Sequence, residues 1–508
     1  MGCVGRAIWA LVIVASTACG GGGGDGSGAS TGGTGAASGA GGAASGGTGA
    51  AAGSGGTGAA AGSGGAGAAS GGGGSSGASG GTGGSAGGAC SGVTTFADGA
   101  VPTTEVHVSP TGNDQGAGTS ASPFATLGKA ASVASPGTAI RLQPGTYGGG
   151  AFLSNLSGTA TAPIWIGGVT GSAKPVIDGG GQAMQLSRVR YLIVHDLEVR
   201  NSTQNGINID DGADYANEDA TRYVVFRNLT ISDIGSGGNQ DCLKMSGVND
   251  FWVLDSTFTN CSSGGSGIDM VGCHRGLIAG NTFTDMGSNA VQGKGGTDDV
   301  EIRHNRIKNG GQRAINLGGS TGFQFFRPPL STSAPNFEAR NIRVVANLIE
   351  GSMAPIAFVG CVSCVAAQNT IVNPTNWIIR ILQETTSGSG YTFEPAKDGV
   401  FENNLVYFAR GGLSTYVNVG ANTDAPSFTF RTNLWYAHDN AAQSQPTNLP
   451  AAESGGIYGQ DPGVAAPDFV TGAGSPAVGQ GTHPAHAPGD LLGKCWQNPP
   501  SIGAYEGG

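Results

Sequence analysis

Short runs of alternating apolar and polar residues recur along most of this chain, each broken by Gly, Asn, Asp or Ser. VVFRNLTI (224–231), WVLDSTFT (252–259), GLIAGNTFT (276–284) and VEIRHNRIK (300–308) are one phrase written four times. Their alignment puts Asn228, Ser256, Asn281 and Asn305 in one column, at steps of 28, 25 and 24 residues. The phrase returns around Asn347, Asn369, Asn404 and Asn433, and more faintly around Asp196. Period-two alternation rich in Val, Ile and Phe predicts short strands, and a repeat of this length means a solenoid, a propeller or an array. A propeller blade needs ~40–45 residues, and a leucine-rich repeat would show regular leucines. Three short strands per coil, stacked in parallel, make a parallel β-helix. The expected fold is therefore all-β, a right-handed parallel β-helix. An Asn at a fixed turn suits it, because stacked amides can hydrogen-bond along the axis and Asn tolerates left-handed φ.

The first residues break the pattern. Residues 1–19 carry one Arg, an apolar run from Ala7 to Ala15 and small residues before a cysteine. The run is too short to span a bilayer and is expected to be an export signal. Its STAC ending resembles a bacterial lipoprotein signal, which implies lipidation of Cys19, a membrane anchor and a place in the cell envelope; plain secretion is the alternative. Residues 20–89 are almost wholly Gly, Ala, Ser and Thr and read as a disordered linker. The folded domain is expected over 90–508, and a solenoid can be that long because each coil packs only on its neighbours. A helical stretch over 124–135 is expected to cap its N-terminal end.

Composition narrows the partners. A net charge of −10 argues against nucleic acid, and a monomer is expected. Cys90 and Cys495 bracket the domain while Cys361 and Cys364 form a CxxC, so local or capping disulfides come first; a zinc site would need a second pair.

Candidate chemistry follows from register. The segments starting at Asn205, Asp241, Ser266, Asn289 and Arg313 align on the inward residues Ile207, Leu243, Ile268, Val291 and Ile315. Side chains alternate in and out, so the outward positions gather Asp210, Asp241, Lys244, Asp269, Gln292, Lys294, Arg313 and Asn316 on one face. A solvated sheet face with charge ladders would look the same. Two long insertions, after Asn305 (with FQFFRPP, 323–329) and after Asn369 (around RILQETT), are expected to wall a groove. Carboxylates, amides and cations on a rigid sheet suit an acidic polysaccharide. The matching reaction is β-elimination on a uronic acid: cations neutralise the sugar carboxylate, and an amine whose proton is loosened by nearby cations takes the proton from the adjacent carbon. Lys244, Lys294 and Arg313 are the candidate catalytic residues. Gln292, Asn316, Arg327 and Arg380 are candidates for binding substrate, with Glu384 beside Arg380. Asp210, Asp211 and Asp214, in the acidic DDGAD loop, are candidate metal ligands, and calcium is the expected cofactor.

Family resemblances sharpen these expectations. The 124–135 stretch with AIRLQ and PGTY after it, the segments TATAPIWIGGV and PVIDGGG, and the closing GSPAVGQG and PSIGAYE resemble secreted β-helix proteins such as pectate lyases. QDCLK (240–244) followed by GSGID (265–269) resembles the calcium-dependent pectate lyases; that implies ligand roles for Asp241 and Asp269, with Gly265 and Ser266 standing where two further aspartates would be. Lys294 followed by Arg313 resembles the Lys/Arg pair of the chondroitinase B and alginate lyase group, without its acidic calcium ligands. NQD (239–241), Asp269, GCH (272–274) and RIK (306–308) resemble, in part, the polygalacturonases, but the carboxylate pair that hydrolysis needs is absent. The expected function is binding and lyase cleavage of an acidic polysaccharide. Its alternatives are a non-catalytic glycan-binding or adhesive module and a glycoside hydrolase.

Overall fold

The computed structural model describes residues 90, 92–482 and 486–507. The signal, Cys19 and the 20–89 linker lie outside them. Three long parallel sheets of fifteen, ten and twelve strands run along the domain. One coil supplies a strand to each: Leu243–Ser246 to the ten-stranded sheet, Val248–Leu254 to the fifteen-stranded one and Thr257–Cys261 to the twelve-stranded one. This is the right-handed β-helix that the period predicts. Its interior is filled by columns such as Ile207, Leu243, Ile268, Val291, Ile315, Ile356 and Ile379, all fully buried. Burying each such side chain contributes roughly 1.5–3 kcal/mol. The helix Leu127–Val133 is shorter than expected; Thr126 caps it by accepting from the Lys129 amide at 3.1 Å, and Leu127 and Ala130 pack into the core of the first coils.

The expected Asn column holds from Ser256 onward but is corrected by one residue before it. Leu229, not Asn228, stacks under Ser256, whose hydroxyl accepts from the Leu229 amide at 3.0 Å. Asn228 belongs to a separate column with Asp196, Asp255, His304, Gln368 and Asn403, all with φ between 49° and 54°. The left-handed residue and the stacking residue are thus consecutive positions of the turn. The stacking residues Asn281, Asn305, Asn347, Asn369, Asn404 and Asn433 are essentially buried, and each of the first five donates from its amide to the next at 3.0 Å. The run ends with Asn433 donating to Glu453 at 2.7 Å. Each Asn oxygen also accepts the preceding coil's backbone N–H, as Asn347 does from Asn305 at 2.9 Å. Asn347→Ala leaves several of these groups unpaired in the interior and should cost on the order of 3 kcal/mol, read as a lower denaturation midpoint.

Two of the three outer faces are covered. The stretch with Val93, Phe96 and Ala97 lies over outward apolar residues of the fifteen-stranded sheet, among them Trp165, Ile193 and Val225. Residues Val464, Phe469, Ala477 and Ile502 cover Leu348, Leu405 and Leu434 of the twelve-stranded sheet. A Cys90–Cys495 disulfide links the two covering segments. Cys242–Cys261 and Cys361–Cys364 are local bridges, and Cys273 is a buried thiol. The ten-stranded face keeps a polar outer surface.

Candidate functional site

The outward column of the ten-stranded sheet reads Gln185, Asn208, Lys244, Asp269, Gln292, Asn316, Ala357, Arg380 and Asn418, each paired with the next in parallel register. Strand spacing makes the stretch from Lys244 to Arg380 about 24 Å long. The expected register is therefore the register found. Insertions between this sheet and the fifteen-stranded one, at 211–220, 319–338 and 383–399, rise along one edge of the strip.

At its centre are two amines on one carboxylate. Lys244 Nζ makes a tight ion pair with Asp269 Oδ2 and lies 3.5 Å from Asp241 Oδ2. Lys294 Nζ lies 3.5 Å from the same Asp269 oxygen and 3.4 Å from Gln292 Oε1. The lysines keep 18% and 15% of their side chains exposed, whereas Asp241 and Asp269 keep 1%. A ligand therefore meets the amines first. Further along, Arg313 pairs with Glu384 at 2.5 Å. Arg380 stacks on the Trp377 ring at 4.2 Å and donates to Asn418 at 3.0 Å. Burial, with Arg313 nearby, lowers the Arg380 pKa, although a guanidinium stays charged.

Electrostatics separate the two aspartates. Burial pushes Asp241 up to about 6, against the pull of Lys244. Burial also acts on Asp269, but Lys244 and Lys294 outweigh it and hold that carboxyl below its usual range. Lys244 corrects the expectation of a loosened proton. Burial works against its charge, yet Asp269 and Asp241 more than offset this and raise its pKa above the ordinary lysine value. Its two carboxylate neighbours favour the charged form. The Asp241 shift has a sign: the folded chain holds this proton more tightly than the unfolded chain does. Its contribution to stability is thus largest below about pH 4 and falls as pH rises to about 6. Asp241→Asn should flatten stability over that window in a pH series of denaturation midpoints, compared with the wild type.

Other expected residues are engaged in other contacts. Arg327, expected at the substrate, is 7% exposed; its guanidinium donates to Asp211 at 2.7 and 3.1 Å and stacks on Tyr215 at 4.2 Å. It ties the 319–338 insertion to the 211–220 loop. The DDGAD carboxylates part company. Asp211 is taken by Arg327, Asp214 accepts from Asn217 at 2.9 Å, and Asp210 accepts from Gln185 at 2.8 Å and Ser187 at 2.7 Å. No group of three His, Cys, Asp or Glu placed to hold a metal occurs among the described residues. Two of the FQFFRPP aromatics pack between insertions: Phe323 stacks on Phe393 at 5.6 Å and Phe326 lies 5.5 Å from it, while Phe325 is exposed.

Sequence reasoning missed Glu338. Fully buried, it accepts from the Gly295 and Thr321 amides at 2.8 Å each and from the Thr321 and Thr385 hydroxyls. It joins both insertions to the residue after Lys294 and so positions that lysine and the wall beside it. It lies in an insertion outside the period, so no column could have marked it. A cleft of about 460 Å³ on the other side of the 319–338 insertion is lined by Arg275, Asp298, Phe337 and Arg340. Its Asp298 is already gripped by Arg340 at 2.5 Å.

Residues 106–292 match the family described as the Pel9A-like, right handed beta helix region. Among solved structures, pectate lyase Pel9A is similar over 81% of this chain and 98% of its own, with TM-score 0.50 and 16% identity. An alginate lyase from Paenibacillus sp. str. FPU-7 is similar over 64% of this chain and all of its own, with TM-score 0.41 and 16% identity. A GH136 lacto-N-biosidase from Eubacterium ramulus is similar over 65% of this chain and 67% of its own, with TM-score 0.45 and 14% identity. No curated protein matches the chain. These likenesses are of fold: a right-handed β-helix whose structural neighbours include polysaccharide lyases and glycoside hydrolases.

Proposed function

We propose that the ten-stranded face binds an acidic polysaccharide and cleaves it by β-elimination. One observation carries the reading. Two lysines share a buried carboxylate at the centre of the open polar face, with Arg313 and Arg380 in later coils of that face. The fixed charge of Lys244 would receive the uronate carboxylate at the cleaved bond and spread the charge that develops on it, while Arg313 and Arg380, in later coils, would receive carboxylates of sugars further along the polymer. Lys244 meets the Asp269 charge in the tighter contact, which leaves Lys294 as the amine to work as base. In the reaction the proton on C5 passes to Lys294 Nζ, its electron pair forms the C4=C5 double bond, and the C4–O bond breaks. The departing oxygen takes a proton from solvent. The test is a panel of pectate, alginate and chondroitin polymers followed by the ultraviolet absorbance of the new double bond beside the carboxylate. Rising absorbance supports the reading. Binding without absorbance or new ends supports a glycan-binding module instead.

The separated Asp241 and Asp269 titrations favour a second reading, glycoside hydrolysis, because a carboxyl pair pushed apart supplies an acid and a base. Both carboxyls lie beneath Lys244, which counts against it. New reducing ends without ultraviolet absorbance would decide for hydrolysis.

A further inference from the structure

The resemblance to calcium-dependent lyases implies a divalent ion at Asp241 and Asp269, and the residues present do not fit one. Calcium takes 6–8 oxygen ligands. Of the four carboxylate oxygens here, Asp241 Oδ1 accepts from the Ser266 amide at 2.8 Å, and Asp241 Oδ2 and Asp269 Oδ2 face Lys244. Asp269 Oδ1 alone is left, buried and without a hydrogen-bond partner. Nor could the missing ligand be restored at position 265: a Cβ on Gly265 would lie 1.7 Å from the Gln240 carbonyl oxygen. At position 266 the side chain is that of a buried serine.

Resting on the proposed reading of this face, we infer that the Lys244 ammonium is a built-in cation standing where a divalent ion would sit, so that the site binds its uronate without metal. The ammonium offsets the buried charge of Asp241 and Asp269 from above, and because it keeps 18% of its side chain exposed an incoming carboxylate meets the amine before either aspartate. Its charge is secured by the two carboxylates beneath it. The orphaned Asp269 Oδ1 is buried beneath the amines, and one such oxygen is too few for a calcium shell.

The test uses the full chain, stripped with chelator, and its Lys244→Met variant. Calorimetric titration with calcium chloride alone should show no stoichiometric uptake by the wild type. Polygalacturonate or alginate binding should change less than twofold between chelator and added calcium. Lys244→Met should weaken that binding at least tenfold and lower thermal stability, with part of the stability restored when Asp269→Asn is added. Stoichiometric calcium uptake that disappears in Asp241→Asn would overturn the inference, as would loss of polymer binding in chelator. If the wild type binds and cuts no uronate polymer, the functional reading fails, while calcium uptake and the stability of Lys244→Met with and without Asp269→Asn still decide what Lys244 does.

Discussion

Lys294→Ala should lower the rate of uronate cleavage by about 10²–10⁴-fold, the usual contribution of a positioned general base. The melting temperature should stay close to that of the wild type. The lysine is at the end of an outward strand position, 15% exposed, and its amine touches Asp269 and Gln292 without filling the interior. Lys294→Arg is the sharper control: it keeps the cation but supplies no usable base, so activity should stay low while polymer binding survives. Unchanged cleavage by Lys294→Ala, measured by ultraviolet absorbance, would remove this residue from the chemistry.

Asp211→Ala should destabilise the domain by about 3–5 kcal/mol, because it leaves the Arg327 guanidinium charged, buried and without its carboxylate. The partner donates two bonds to Asp211 and a third, at 2.7 Å, to the Phe325 carbonyl, so it cannot turn to solvent without unseating the 319–338 insertion. Denaturant titration measures the loss. The double substitution Asp211→Leu with Arg327→Met should recover most of it, since an apolar pair of similar size removes the unpaired charge. If the single variant melts like the wild type, the pair does not hold the two loops together.

Most of the coil could be read from its period, and the register of the site strip could be read too. Ile207, Leu243, Ile268, Val291 and Ile315 sit at equal offsets from their outward neighbours, and parallel pairing preserves those offsets. The slip at Asn228 has a local cause. Both the left-handed position and the stacking position of the turn accept Asn, and the sequence RNL offers a single Asn for two adjacent sites. What could not be read lies outside the repeat. Arg327 meets Asp211 across 116 residues, and Glu338 gathers donors from Gly295, Thr321 and Thr385. Spacing along the chain carries no trace of such meetings. The charge of Lys244 is hidden from the sequence for a related reason: it depends on lying between two carboxylates from successive coils, and the cations on the strip say nothing of the layer below them.

Cys90 is bonded to Cys495, 405 residues away, rather than to anything in the first coil. A pull on the residues ahead of Cys90 is therefore shared with the far end of the polypeptide and with the two segments lying flat on the sheets. Force enters sideways, across many coils at once, instead of peeling the first strand from the second. A stacked coil is weakest when unzipped from one end, and this fastening gives tension no single end to start from.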